Sequence, residues 1–161
     1  MKGLWLRPLL LLILVATIGG GAPVVRADPY VAANVDLGRN YIAPGYAALA
    51  ESAADQLKQL KQFCRAPDDA GLEQSRAAFH ATMDDWMRMQ HISFGPIANA
   101  FRAQRLYHWP ERRHAVAREL DTLMNTLDAA RLEPEAFAKS SVAVQGLPAL
   151  ERLLFAPDAL Q

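Results

Sequence analysis

Apolar residues recur at three- and four-residue steps after residue 40, and this period constrains the fold more than any other feature of the sequence. The first apolar stripe follows Pro44, which suits the first turn of a helix, and Pro67 ends it. Its members are Tyr46, Leu49, Ala53, Leu57, Leu60 and Cys64. Residues at this spacing share one face of a helix, whereas a half-buried strand requires strict alternation. The spacing therefore predicts a helix of about 20 residues that buries one face.

Further stripes of the same period follow along the chain. They predict a second helix over about Asp69–Gln90, a short helix over Pro96–Arg105, a third long helix over about Glu111–Arg131 and a fourth from Pro134. Their stripe residues are Leu72, Phe79, Met83, Trp86 and Met87, then Val116, Leu120, Leu123 and Leu127, then Phe137, Val144, Leu147 and Leu154. Amphipathic helices joined by short loops bury their stripes against each other. The predicted fold class is therefore all-α, an up-and-down helical bundle.

The first 27 residues have the three-part pattern of a secretory signal peptide. Lys2 and Arg7 precede the apolar run Leu9–Ile18, and Val25-Arg26-Ala27 offers small residues where a signal peptidase reads them. The run is too short for a spanning helix, which needs about 20 apolar residues. We predict a cleaved signal peptide over 1–27, a leader over 28–40 and the helical bundle over 41–161. The expected location is the periplasm or cell envelope, without a lipid anchor or a membrane span.

The charge balance excludes some classes of partner. The chain holds 17 basic and 17 acidic residues, and three basic residues but no acidic one lie within 1–27. The remaining chain thus carries a net charge of −3 with neutral histidines. This argues against nucleic acid or an anionic membrane as the partner, since both require clustered positive charge. Cys64 is the only cysteine, so no internal disulfide forms. We expect it to be a buried small residue, and the alternative is a partner cysteine on a missing segment or another chain.

A carboxylate and a proline interrupt the fourth stripe. If the segment is helical, Glu151 lies on the same face as Val144, Leu147 and Leu154. A buried carboxylate is costly unless it is paired or binds a metal. Pro148 is expected to kink the helix, since it cannot donate a hydrogen bond to the preceding turn. The sequence leaves two interpretations open, a ligand site at Glu151 or an internal ion pair with an arginine.

The second helix carries His80, Asp84 and His91 along one narrow stripe. At about 1.5 Å rise per residue, the two histidines lie about 16 Å apart and cannot bind one ion together. They are secondary candidates for a metal site that would need ligands from elsewhere, and surface pairing is the alternative. The sequence lacks the zinc-peptidase, phosphate-loop, haem-attachment and serine-hydrolase motifs.

Several stretches together resemble the imelysin family. The signature-like run is Ser141–Phe155, and Trp86–Pro96 and Tyr107–Pro110 support it in the right order, as does the end of the first helix at Phe63–Pro67. Imelysin-like proteins are exported bacterial envelope proteins, many of them tied to iron acquisition, and their fold has two helical-bundle halves. The resemblance, which spans Tyr41–Phe155, implies that this chain is the N-terminal half, and we expect the sequence to be truncated.

The resemblance also implies a modified metal motif. The family carries a G-x-H-x-x-E pattern thought to bind metal, and here Gly146 and Glu151 match it while Pro148 stands at the histidine position. Proline has no ligand atom, so Glu151 is the remaining metal-ligand candidate. The other residues of the resemblance that we single out as a binding motif are Phe94, Gly95 and Pro96.

The function expected from these features is a non-catalytic, exported imelysin-like protein associated with iron acquisition. It would bind iron or another divalent metal, a chelate, or a partner such as an envelope iron-uptake protein. Two alternatives remain at this point: a metallopeptidase of the imelysin type that uses Glu151 with ligands such as His80 or His91, and an interaction domain without a ligand.

Overall fold

The computed structural model describes residues 28–126, 128–157 and 159–160 of the 161-residue chain. The predicted signal peptide over 1–27 lies outside the described residues. Every regular element of the described ranges is helical, which confirms the predicted all-α fold class. Within these ranges, no helix combines the length and the apolar character that a membrane span requires.

The chain divides into two compact units, residues 1–36 and residues 37–161. In the described part of the first unit, residues 29–36 belong to helix α1, which runs over Pro29–Leu37. This helix lies in the segment that we predicted as a leader. The second unit contains the remaining elements and both apolar clusters of the core.

Two long helices form an antiparallel hairpin at the start of the second unit. A π-helical turn over Gly38–Ile42 precedes α2, Ala43–Arg65, and α3 follows over Asp69–Met89. The side chain of Asp68 accepts a hydrogen bond from the backbone N–H of Gly71 at 2.6 Å, which caps α3. Both helices lie close to the predicted ranges, since their stripes, prolines and cap are local signals.

The rest of the second unit consists of shorter helices. They are a 3₁₀ helix over Gly95–Phe101, α4 over Arg102–Leu106, α5 over Ala115–Thr126, α6 over Ala129–Leu132, α7 over Pro134–Phe137, a 3₁₀ turn over Val142–Val144 and α8 over Gly146–Leu154.

The predicted third helix is too long at both ends. Arg113 and His114 have positive φ values of 54° and 53°, so the helical path cannot begin at Glu111 as predicted. Instead, the Glu111 carboxylate accepts a hydrogen bond from the backbone N–H of Val116 at 2.7 Å and satisfies a free donor in the first turn of α5. At the other end, the Asp128 side chain accepts from Ala130 N–H and starts a separate helix.

The prediction of one continuous fourth helix is also wrong. The helical path is interrupted between α7 and the 3₁₀ turn over Val142–Val144, and again before α8. Gln145 is extended, and Gly146 has a φ of +74°, a conformation that favours glycine. The side chain of Gln145 donates to the carbonyl groups of Phe137 and Ser140, which fixes the loop between α7 and α8.

Helix α8 contributes to both apolar clusters of the core. The first cluster comprises Leu49, Leu72, Phe79, Trp86, Leu147 and Leu154. The second comprises Val116, Leu120, Leu123, Ala143, Val144 and Ala149. Because its residues belong to both clusters, α8 joins the hairpin to α5, and each large apolar side chain that it buries contributes about 1.5–3 kcal/mol.

Candidate functional site

The first motif residue, Gly146, lies against the end of α4. A Cβ at this position would collide with the backbone carbonyl oxygens of Arg105 and Leu106. Because neither carbonyl can move without displacing α4, this close approach and the positive φ both require glycine. The structure thus gives Gly146 a packing role at the start of α8.

Pro148 does not kink the helix, contrary to the prediction. Helix α8 begins at Gly146, so Pro148 lies in its first turn. A backbone N–H in the first turn has no partner within the helix, so its absence removes no helical hydrogen bond. The prediction failed because it assumed that the helix extended well upstream of Pro148.

Glu151 is exposed rather than buried, which corrects a second prediction. Although it is four residues from Leu147 on the helical stripe, α8 packs on the first cluster through Leu147, Leu150 and Leu154. The adjacent face, which carries Glu151, borders an open groove instead of a neighbouring helix. Glu151 is therefore not the buried carboxylate that both interpretations assumed, and its side chain is accessible from the groove.

The groove has a volume of about 1310 Å³. It is lined by residues of the end of α2, α3, the turn before α5, α5, α8 and the segment that follows α8. The lining includes Leu60, Phe63, Cys64, Tyr107, His108, Trp109, Glu111, Leu120, Asp121, Met124, Pro148, Leu150, Glu151, Arg152, Leu153 and Phe155. Cys64 is exposed here, so the prediction that it is buried is wrong.

Three carboxylates line this largely apolar groove. Glu111 is half-buried and already caps α5, whereas Asp121 and Glu151 are exposed. Among the described residues, the basic side chains that line the groove are those of Arg152 and His108. In the described part of the chain, no group of three histidine, cysteine, aspartate or glutamate side chains lies close enough to hold a metal ion. The residues present therefore do not fit a bare ion held by protein ligands alone.

The secondary candidates lie on the exposed side of α3 and do not line the groove. His80, Asp84 and His91 are all exposed. The ring of His80 lies 5.2 Å from that of Phe155, while His91 lies 5.8 Å from the ring of Tyr41. The two histidines thus contact opposite ends of the second unit's sequence, in keeping with their predicted separation along the helix.

Phe94, Gly95 and Pro96 form a third location. Phe94 is 61% exposed and Gly95 has a φ of +71°. The carbonyl of Pro96 accepts a hydrogen bond from the guanidinium of Arg102 at 2.8 Å. None of these residues lines the groove, so the structure does not bring them together with Glu151.

Arg76 is a structural residue that the sequence analysis missed. Its Nε donates to the carbonyl of Leu154 at 2.9 Å, and its guanidinium lies 5.3 Å from the centre of the Phe155 ring. The side chain also pairs with Glu73 one turn away on α3. These contacts fix the end of α8, and no local sequence signal identifies them because Arg76 and Leu154 are far apart in the chain.

The structure defines a helical protein whose motif helix, α8, contributes to both apolar clusters and borders a largely apolar groove that carries three carboxylates. A family model described as imelysin, peptidase family M75, matches residues 42–161. The match covers well over half of the chain, and the chain belongs to the imelysin family. A search of curated proteins finds no match, and a search of solved structures finds none either.

Proposed function

We propose that this protein is an exported imelysin-family protein that serves bacterial iron acquisition by binding an iron chelate in the groove, without cutting peptide bonds. Members of the family are generally exported envelope proteins. The signal-peptide pattern of residues 1–27 supports the same location for this chain.

The observation that carries the proposal is the composition of the groove. Asp121 and Glu151 offer exposed carboxylate oxygens, which suit hard cations, but the described residues do not gather a complete ligand set. A chelate brings its own ligands, so it needs only contacts to its organic body and a complementary charge. The exposed apolar side chains of Trp109, Met124 and Leu153 supply such contacts.

The size of the groove agrees with this cargo. Small-molecule sites commonly occupy about 300–1,000 Å³. At about 1310 Å³, this open groove accommodates a chelate larger than a single hydrated ion. We propose an uncharged or cationic chelate, since carboxylates outnumber the cationic side chains on the groove, and an envelope iron-uptake protein as its recipient.

The residue at position 148 supports the non-catalytic role that we propose. A proline has no atom that can bind a metal, so the G-x-H-x-x-E pattern of the family lacks its histidine here. His80 and His91 do not line the groove and therefore do not replace it beside Glu151. The alternative of a metallopeptidase rests on the family to which the chain belongs and on the exposed Glu151.

The proposal is tested by titrating the purified protein with a panel of ferric chelates of differing charge, using calorimetry and tryptophan fluorescence. Trp109 is 67% exposed on the groove, so a bound ferric complex is expected to quench its emission. The double variant Asp121→Asn/Glu151→Gln is expected to bind a cationic chelate about tenfold more weakly, since two nearby charges are lost.

The matched control is Glu51→Gln, an exposed carboxylate on α2 that does not line the groove. It should bind like the unaltered protein. Absence of saturable binding for every chelate would contradict the proposal. Cleavage of an unfolded polypeptide by the metal-supplemented protein, abolished by Glu151→Gln, would instead establish the peptidase. Normal growth of a deletion strain under iron starvation would contradict the iron-acquisition role.

A further inference from the structure

The connection that follows α3 exposes two phenyl rings. We call the segment Phe94–Arg105, which contains the 3₁₀ helix and most of α4, the aromatic loop. Phe94 is 61% exposed and Phe101 is 71% exposed. The hydrogen bond from Arg102 to the carbonyl of Pro96 connects the two parts of the loop that carry these rings. The loop does not contribute to the groove, so the proposed chelate site does not explain its exposed rings.

The backbone holds one of these rings in a strained position. Ala100 and Phe101 have φ values of 53° and 57°, in the left-handed region. Residues with a Cβ rarely adopt this conformation, and they retain it only where the surrounding structure imposes it. The strain at Phe101 thus accompanies a large apolar ring that faces solvent instead of the core.

The charge around the loop is positive and locally unopposed in sequence. No acidic residue occurs between Trp86 and Pro110, while Arg102 and Arg105 are exposed within the loop. The net charge of −3 beyond residue 27 argues against an anionic membrane for the chain taken as a whole. It does not decide the charge at the aromatic loop, because exposed charges are screened beyond about 8–10 Å at physiological salt. The aromatic loop therefore offers two exposed guanidinium groups and no carboxylate of its own.

We propose that the aromatic loop docks on an anionic phospholipid surface. In this arrangement Phe94 and Phe101 enter the headgroup region, while Arg102 and Arg105 contact phosphate groups. Aromatic rings favour this depth, and arginines near it are attracted to anionic lipids. A fluid surface needs no matching shape. It can therefore accept both rings although six residues separate them in the chain, whereas a rigid protein partner would need a pocket for each ring.

The test is co-flotation of the purified protein with vesicles of phosphatidylcholine alone or mixed with phosphatidylglycerol. The double variants Phe94→Ser/Phe101→Ser and Arg102→Gln/Arg105→Gln are each expected to lower the affinity for anionic vesicles about tenfold, and added salt should weaken binding of the unaltered protein. Arg105→Gln alone, which spares the Arg102–Pro96 hydrogen bond, should lower it by a smaller factor.

The matched control is Leu57→Ser/Lys58→Gln, which removes an exposed apolar and a cationic side chain from α2. All variants share the same N-terminus, so a difference in binding between them cannot arise from residues 1–27. Equal binding by the loop variants and the control would overturn the proposal. Retention on an immobilised acidic polypeptide, dependent on the same four residues and without vesicle binding, would also overturn it and would assign the loop to an acidic protein.

Discussion

The α2–α3 hairpin and helix α8 share the first apolar cluster, but different kinds of contact hold them in place. Along the hairpin, apolar stripes on two long helices face each other, and Asp68 supplies a local cap. Helix α8 has nine residues and depends on a backbone approach at Gly146 and on Arg76 at its other end. The hairpin can therefore absorb a small local change by moving side chains, whereas α8 meets fixed backbone.

The largest effect is expected from Gly146→Ala. Its methyl group would collide with the carbonyl oxygens of Arg105 and Leu106, and a positive φ disfavours alanine. We expect the free energy of unfolding to fall by about 3 kcal/mol, measured by urea denaturation. Gly38→Ala is the control, since nothing lies within 4 Å of its added Cβ. Equal stability of the two variants would show that α8 does not rest on α4 as described.

A smaller loss is expected from Gly45→Ala in the hairpin, where the added methyl group meets the side chain of Met89. Alanine favours the helix, but Met89 is only 1% exposed and has little room to move. The expected net loss is about 1 kcal/mol. In a Met89→Ala background the same change should become neutral or stabilising, because the obstructing side chain is gone. A loss that persists in that background would contradict the contact.

Tyr46→Phe is expected to stabilise the hairpin slightly. The hydroxyl of Tyr46 is buried and has no hydrogen-bond partner among the described residues, so its removal should raise the free energy of unfolding by roughly 1 kcal/mol. Burial also raises the pKa of Tyr46 above its ordinary value of 10.0.

This shift gives the prediction a pH dependence. The folded state holds the phenolic proton more tightly than the unfolded state. The stability that comes from this bound proton is fully present below the unfolded pKa and is lost as pH rises through the folded pKa. The advantage of Tyr46→Phe should therefore grow between about pH 8 and pH 11 in thermal melts. A constant difference across that range would argue against a buried hydroxyl.

The smallest effect on stability is expected from Glu151→Ala. Because Glu151 is exposed on the groove, its removal should change the free energy of unfolding by no more than about 0.5 kcal/mol. Chelate affinity should nonetheless fall in the titration described above. A loss of several kcal/mol would indicate that Glu151 is an internal anchor, and it would remove the contrast between the two sides of α8.

The contrast between the hairpin, whose signals are local, and the later helices, whose contacts are distant in the chain, also explains which elements the sequence predicts. The ranges of α2 and α3 follow from apolar period, proline positions and a cap, all of which are local. The start of α5 depends on left-handed residues at Arg113 and His114 and on a carboxylate cap from Glu111, which the apolar stripe does not reveal.

The sequence names three motif residues of the candidate site, Gly146, Pro148 and Glu151, from their spacing. It does not give their roles. The role of Gly146 depends on Arg105, about 40 residues away, and the exposure of Glu151 depends on how α8 packs against the other helices. Asp121 and Glu111 were not identified because charged residues on amphipathic helices are common, and only the fold places them on the same groove as Glu151.

Because α8 contributes to both apolar clusters, it affects the order in which the protein folds during synthesis. The hairpin residues Leu49, Phe79 and Trp86 precede α8 by at least about 60 positions, and they complete their cluster only with Leu147 and Leu154. A growing chain therefore displays an unfinished apolar surface until residue 154 has emerged. During that interval the apolar side chains of the hairpin lack the partners that α8 supplies, since domains form as units once their contacts are available.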